Sequence, residues 1–252
     1  SAIRAGHIEV VRFLLEQDFS VAQVDFFVPP ALFIAATEGQ VAIAALLLQC
    51  GAKIDEIPIG EPSKGTPLCA ATEKGDLSMV KLLLALGAQP NAHTKSYLNN
   101  RIPLHVAAEK GYLDIFKILL AHSADIYLTD SVGREALQLV PADKATAFGQ
   151  VASKHLIDTY LAELTEKEER QSKQAPGLFA STFTFGTSVR EKKDAAHALI
   201  QVLIGETDLS TLEVHQRALN QGNLGKVYKK IKEIYLSKLP SVVTHTSSFK
   251  HN

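Results

Sequence analysis

This 252-residue sequence has no long hydrophobic run, few cysteines and no excess of positive or negative charge. No run of about 18 or more apolar residues occurs, so no membrane-spanning helix is predicted. The two cysteines, Cys50 and Cys69, are too few for a disulfide framework, which favours a reducing intracellular compartment. With 26 basic and 27 acidic residues, the net charge of −1 gives no overall preference for nucleic acid or for an anionic membrane.

Sequence signatures of common enzymes are also missing. The chain has no glycine-rich phosphate loop followed by lysine, no Gly-x-Ser-x-Gly turn and no His-Glu-x-x-His pair. The His-x3-His and Cys-x2-Cys spacings that are typical of zinc sites do not occur either. We therefore predict no catalytic residue, no cofactor and no metal site. These absences argue against a familiar enzyme and leave an unfamiliar one open.

A pattern of small residues followed by glycine recurs along the first half of the chain. The glycines that mark its copies are Gly6, Gly39, Gly75 and Gly111, which are 33, 36 and 36 residues apart. Each copy offers two short apolar stretches that suit helices. Because one such unit cannot bury its own apolar faces, the pattern predicts a stack in which each repeat covers the next.

The third copy shows how individual residues suit two short helices. Thr66 is placed to cap a helix that begins with Pro67, whose missing N–H group would have no partner in a first turn. Gly87 is placed to end the second helix in the left-handed conformation, as Gly51 does one copy earlier. Small residues such as Ala71 allow neighbouring copies to approach closely. The sequence therefore predicts an all-α repeat array.

This array resembles the ankyrin-repeat family. Residues 66–69, Thr-Pro-Leu-Cys, and 102–105, Ile-Pro-Leu-His, are similar to the family's Thr-Pro-Leu-His motif. The resemblance covers residues 1–140 and implies a solenoid of about four ankyrin repeats. A fifth copy starts at Asp130, but Pro141 interrupts its helix, so we interpret it as a cap or junction. Since the first copy starts inside its opening helix without an initiator Met, we expect a piece of a longer protein.

Beyond residue 140 the repeat ends and a different helical region is predicted. Apolar residues at three- and four-residue steps predict a long connecting helix over residues 141–173, followed by a small C-terminal helical domain over 174–252. In that domain we expect helices that begin near residues 189, 211 and 223, the first two from capping-box spacings. Three phenylalanines before them are interpreted as a plug between helices: Phe179, Phe183 and Phe185.

The last predicted helix has one basic side. Its lysines are Lys226, Lys229, Lys230, Lys232 and Lys238. They are compatible with contact to an anionic membrane or an acidic partner. They are also compatible with a solvated surface above a packed apolar side, which is the interpretation that we favour.

Cys69 and His105 contain the chemical groups of a cysteine protease. Cys69 stands where the ankyrin motif has its usual His, and His105 stands at the same place one repeat later. Both positions therefore have a structural explanation from the repeat, and we favour that explanation over catalysis.

The resemblance implies that the chain binds another protein through the concave groove of the array. Packing leaves two kinds of position unconstrained: the exposed ends of the first helices and the tips of the hairpins. The predicted partner-binding residues are Phe26, Phe27, Thr37, Glu38, Ser63, Glu73, Lys74, Tyr97, Leu98, Arg101, Glu109, Lys110 and Arg134. Phe26 and Phe27 are candidates because exposed aromatic residues often anchor interfaces, although a core position for both is an equal alternative.

A short array followed by an unfamiliar helical region resembles the ankyrin effectors that intracellular pathogenic bacteria secrete into host cells. On that resemblance the partner is a host protein and the compartment is the host cytosol. Separately, we expect the protein to be a monomer. Two other functions stay open. The repeats could recruit substrate for an enzyme in the C-terminal or a missing N-terminal region, or the C-terminal helices could occupy the groove as an intramolecular scaffold.

Overall fold

The computed structural model describes residues 2–17, 30–58, 65–93, 100–174, 189–203 and 209–234. In these ranges the chain is almost entirely helix and turn. The only β-type pairing among them is an isolated antiparallel bridge between Thr129 and Glu135. The chain forms two compact units, residues 1–144 and 145–252. The predicted all-α class is confirmed.

The first unit is built from one helix and three helix pairs within the described ranges. Helix α1 spans Ile8–Glu16. The pairs are α2, Ala31–Glu38, with α3, Val41–Gln49; α4, Pro67–Lys74, with α5, Leu77–Ala85; and α6, Pro103–Lys110, with α7, Leu113–Ala121. First helices have eight residues and second helices nine in every pair. The predicted repeat solenoid is therefore present.

The helices end where the sequence predicts. The Thr66 hydroxyl accepts the Cys69 amide at 3.4 Å and Pro67 is the first residue of α4. After the second helices Gly51 and Gly87 are left-handed, with φ of +87° and +94°. Ser123 takes the same conformation in the fourth repeat, with φ of +65°, which is unfavourable for a residue with a side chain. Local signals therefore decide these boundaries.

The stack is held together in two layers. In one layer α2 packs on α4, and α4 packs on α6; in the other α1 packs on α3, α3 on α5 and α5 on α7. Fully buried alanines let the first helices approach: Ala35, Ala36, Ala71, Ala107 and Ala108. Larger side chains fill the space between the layers, and Leu83, Leu104 and Phe116 are fully buried there. Truncating one of them to alanine would cost about 2–5 kcal/mol of stability.

A 3-10 helix closes the first unit in place of another first helix. It spans Ala136–Leu139 and packs on α6. Ala136 and Leu137 are buried, so the cap covers apolar surface of the fourth repeat. Val140 and Pro141 follow, before a second 3-10 turn at Ala142–Lys144. The fifth copy is thus shortened where its sequence departs from the repeat.

The second unit is a small helical assembly. Its helices are α8, Ala145–Gln174; α9, Val189–Leu203; α10, Gln216–Leu219; and α11, Gly222–Ile234. Helices α8, α9 and α11 share a core, and its larger buried members are Ile157, Tyr160, Leu199, Leu203, Leu219, Leu224, Tyr228 and Ile231. Helices occur near the positions predicted over 141–173 and from about 189 and 223. However, α8 begins at Ala145 and packs on α9 and α11, so the helix that was predicted as a connector belongs to this unit. The predicted phenylalanine plug lies outside the described residues.

The α-helix predicted to begin near residue 211 is wrong. Residues Leu209–Leu212 form a 3-10 helix, and turns follow until α10. The amides of Glu213, His215 and Gln216 bond to carbonyls three residues earlier rather than four. Leu212 is buried in the unit's core, which fixes the tighter turn. Tertiary packing therefore overrides a capping-box spacing that is local to the sequence.

Candidate protein-binding surface

Six of the predicted partner-binding residues form one surface at the ends of the first helices. Thr37 and Glu38 end α2, Glu73 and Lys74 end α4, and Glu109 and Lys110 end α6; all six are exposed. Because these helices stack side by side, equivalent positions follow one another along the array. We call these six residues the groove row.

Lysines of the groove row reach back to the preceding repeat. Lys74 Nζ donates to the carbonyl oxygen of Thr37 at 3.1 Å. Lys110 Nζ lies 2.6 Å from the Glu73 carboxylate, and this hydrogen bond raises the pKa of Lys110. A cation near the last carbonyls of a helix also complements its dipole. Part of the row's charge is therefore committed to contacts between repeats.

Two residues that sequence reasoning missed extend the same pattern to both sides. Arg4 Nε lies 3.8 Å from the Glu38 carboxylate. Lys144 Nζ donates to the carbonyl oxygen of Gly111 at 3.2 Å. The signal for them was their place one repeat away from Glu38 and Gly111, at a period of 33 to 36 residues. A cation thus bridges each pair of successive repeats from the first to the cap.

Glycines at the ends of the first helices make this close approach feasible. A Cβ atom on Gly75 would lie 2.8 Å from the ring of Tyr112, and one on Gly111 would lie 2.7 Å from the side chain of Lys144. Both glycines have positive φ, +76° and +70°. Gly75 is therefore favoured both by its backbone conformation and by the ring that packs over it, whereas at Gly111 the flexible Lys144 side chain can move and backbone conformation is the main reason for glycine.

The two predicted hairpin cations have different neighbours. Arg101 Nη1 lies 2.6 Å from the Glu109 carboxylate, which attaches it to the groove row. Arg134 instead bonds Asp130, through Nε at 3.0 Å and Nη2 at 2.8 Å. The Arg134 side chain is nevertheless nearly half exposed. It therefore presents a fixed guanidinium on the last hairpin.

Asp130 organises that hairpin from a buried position. Its Oδ1 accepts the amides of Val132 and Arg134, both at 2.9 Å. Burial alone would raise the pKa of Asp130, but these hydrogen bonds and the Arg134 guanidinium outweigh it and lower the pKa to about 2. The carboxylate is therefore ionised at neutral pH and holds the hairpin in one conformation.

His105 joins the fourth repeat to the same hairpin. Its Nδ1 accepts the Ile102 amide at 3.4 Å, so Nε2 carries the proton and donates to the carbonyl oxygen of Arg134 at 3.1 Å. Burial lowers the pKa of this imidazole and outweighs the hydrogen bond to Arg134, which raises it. His105 therefore acts as a neutral bridge between two segments of backbone.

Cys69 occupies the equivalent position one repeat earlier. Its Sγ lies 3.6 Å from the Thr66 hydroxyl and 3.9 Å from the carbonyl oxygen of Ala92 in the following hairpin. Burial raises the pKa of the thiol, which keeps it protonated. Cys69 and His105 thus perform parallel structural roles in successive repeats.

Hydrogen bonds also tie successive hairpins together. Asp55 accepts the Gln89 amide at 3.2 Å. One repeat later Asn91 accepts the Asp125 amide at 2.8 Å and donates to the carbonyl oxygen of Ser123 at 3.1 Å. The next residue in this series is Tyr127, whose side chain is 51% exposed. The last hairpin therefore places an aromatic ring where earlier hairpins place a bridging polar group.

Sequence reasoning missed the exposed apolar residues of the last hairpin. Val132 is 71% exposed and lies on the same hairpin as Tyr127 and Arg134. The available signal was an aromatic residue at a position where the earlier copies have Asp55 and Asn91. Five predicted residues lie outside the described ranges: Phe26, Phe27, Ser63, Tyr97 and Leu98.

Comparison with known protein families decides what the array is. A family model described as ankyrin repeats matches residues 32–130, in three copies. These residues are ankyrin repeats. The matched range begins in α2 and ends at Asp130, so it contains the three helix pairs and the groove row. Ankyrin repeats are protein-binding elements, which indicates a protein-interaction module in residues 32–130. No curated protein matches the chain.

Two other kinds of site do not occur in the residues that the structure describes. No three side chains of His, Cys, Asp or Glu come together there as a metal site would require. None of the helices in these ranges combines the length and apolar character needed to span a bilayer.

Proposed function

We propose that the groove row and the last hairpin bind a partner protein. The observation that carries this proposal is the continuous exposed row on three stacked helices, with an ankyrin backbone fixed by contacts between repeats. Rigid presentation lowers the ordering cost of binding. The row contains three acidic and two basic residues, so the proposed partner surface carries both signs of charge.

A charge swap tests this binding surface without removing the contact between repeats. The variant Glu73→Lys/Lys110→Glu keeps an ion pair at the same place and reverses the charges that face a partner. The control is Asp114→Lys/Lys117→Asp, which reverses an exposed pair on α7 that joins Nζ and Oδ1 at 3.3 Å. Both variants keep the net charge, and exposed ion pairs contribute little to stability.

Affinity capture with quantitative mass spectrometry measures which proteins the parent and the two charge-swap variants bind. We expect a partner that the parent protein and the α7 control both capture and that the groove-row variant loses, at unchanged melting temperature. Retention by all three proteins would place the contact elsewhere and contradict the proposal. If the groove-row variant and the α7 control both lose the partner, the binding depends on general charge attraction, which would also contradict the proposal.

We further propose that the partner is a host protein and that the chain is the monomeric ankyrin part of a secreted bacterial effector. The resemblance of the array and its helical extension to such effectors is what supports this. Capture from a host-cell lysate beside a bacterial lysate tests it. A partner present only in the bacterial lysate would contradict the effector role and leave the binding surface itself intact.

A further inference from the structure

Helix α11 of the second unit carries a basic depression that the protein-binding function does not use. Its volume is about 420 Å³, and its lining residues are Asn220, Gly222, Gly225, Lys226, Tyr228, Lys229 and Lys232. No acidic residue is among them. The three lysines follow one another at three-residue steps, which places them along one side of the helix. The depression therefore concentrates positive charge.

The lysines of this depression are available for an anionic ligand. Lys226, Lys229 and Lys232 are all exposed. Within the described ranges none of the three has an ion pair with a carboxylate. Lys232 Nζ lies 4.7 Å from the centre of the Tyr228 ring, a cation–π contact that positions its charge against a mostly buried ring. These ion pairs therefore leave the three amines without a directly bonded carboxylate in the described ranges, and Glu233 is the acidic residue that follows Lys232 on the same helix.

The beginning of α11 adds donors to the same place. Gly222, its first residue, lines the depression and has a φ of +57°. The first amides of an α-helix have no acceptor within the helix, and this end of its dipole is positive. A Cβ atom on Gly225 would lie 3.0 Å from the backbone of Asn220, so glycine allows the turn to approach the helix closely. The turn, the helix start and the lysines thus meet at one depression.

We propose that this depression binds a phosphorylated ligand, either the headgroup of an inositol phospholipid or a soluble compound with clustered phosphates. A compact anion with several charges can contact three amines in so small a volume, whereas carboxylates of an acidic peptide are single charges spread along a chain. Phosphate oxygens accept strong hydrogen bonds from ammonium groups and from amides at helix starts. The chemistry of the lining matches that ligand.

The first test measures pyrophosphate binding to the full chain by calorimetry. We expect the variant Lys226→Gln/Lys229→Gln to bind about tenfold more weakly or worse, since it loses two charge-assisted contacts. The control Lys154→Gln/Lys167→Gln removes two exposed lysines of α8 and should bind like the parent. Thermal unfolding verifies that both variants are folded.

Vesicle sedimentation identifies the source of the phosphate. One vesicle contains phosphatidylcholine with phosphatidylinositol bisphosphate, and the other reaches the same surface charge with phosphatidylserine. Binding to the first only, lost in the Lys226/Lys229 variant, assigns a lipid headgroup. Lys226/Lys229-dependent binding of pyrophosphate without vesicle binding assigns a soluble ligand.

Four outcomes would overturn the proposal. The first is no binding of either pyrophosphate or phosphoinositide vesicles. The second is equal weakening in both lysine variants, and the third is equal binding to the two kinds of vesicle, since each indicates general charge attraction. The fourth is a glutamate peptide that binds as tightly as pyrophosphate, which would indicate an acidic protein partner instead.

Discussion

Asp130 shows how one buried carboxylate fixes an exposed hairpin of the proposed binding surface. Its four hydrogen bonds are all made within the last hairpin, to Val132 and Arg134. Val132 and Arg134 in turn are exposed or partly exposed on that hairpin. A carboxylate that satisfies all of these donors gives the hairpin one conformation, and the proposed partner then meets a preformed surface.

Replacing Asp130 by asparagine should change both stability and its dependence on pH. The folded pKa of Asp130 is lowered from 3.8 to about 2, so the folded carboxylate binds its proton less readily than the unfolded one. Its contribution to stability is therefore complete above pH 3.8 and lost as the pH falls towards 2. Urea unfolding should show Asp130→Asn to be less stable at neutral pH by about 1–3 kcal/mol.

The quantity to compare is the difference in unfolding free energy between the parent protein and Asp130→Asn at each pH. We expect the gap between parent and Asp130→Asn to shrink as the pH falls through this window. Asp114→Asn removes an exposed carboxylate on α7 and serves as the control. A gap that stays constant down to pH 2 would show that the Asp130 carboxylate is not the group that titrates.

At the level of elements, the stack depends on close contact between the ends of neighbouring first helices. Glycine ends each of them, and a side chain from the next repeat lies over that glycine in the third and fourth repeats. The lysine contacts of the groove row occur at the same helix ends. The contacts that space the repeats therefore also arrange the proposed binding surface.

Gly75→Ala tests this contact, with Gly87→Ala as its matched control. Both glycines have positive φ, but nothing lies within 4 Å of a Cβ on Gly87, while one on Gly75 meets the Tyr112 ring at 2.8 Å. We expect Gly87→Ala to cost about 1–2 kcal/mol for backbone conformation alone. Gly75→Ala should cost at least about 1 kcal/mol more because of overpacking.

A double-mutant cycle in urea unfolding isolates the packing part of this cost. In a Tyr112→Ala background the additional penalty of Gly75→Ala should disappear. If it persists there, the contact between α4 and the next repeat is not its cause.

Elements differ in how far their sequence predicts them. Thr66, Pro67 and Gly87 act on residues within one helical turn, so the repeat helices and their ends could be predicted. The spacing of Ser210 and Glu213 suits an α-helix, but burial of Leu212 selects a 3-10 turn, which local signals do not contain. The contacts of Arg4 and Lys144 likewise depend on which side chain of one repeat lies over its neighbour.

At the scale of the whole molecule, two compact units present different chemistry. The first unit exposes the groove row, which has both signs of charge, and the last hairpin with Tyr127. The second unit exposes the basic depression on α11. The sequence period predicted the first unit because every repeat packs against its neighbour through equivalent positions. The second unit has no internal repeat, so its helices could be predicted individually but the convergence of Lys226, Lys229 and Lys232 with Gly222 on one depression could not.

Site-specific photo-crosslinking tests the central claim most directly. A photoreactive amino acid replaces Thr37 in the groove row or, in the control, Leu86, which is exposed just after α5 in the layer of second helices. We predict that the captured partner crosslinks from position 37 and not from position 86. Crosslinks from position 86 with none from position 37 would contradict the claim that the groove row binds the partner.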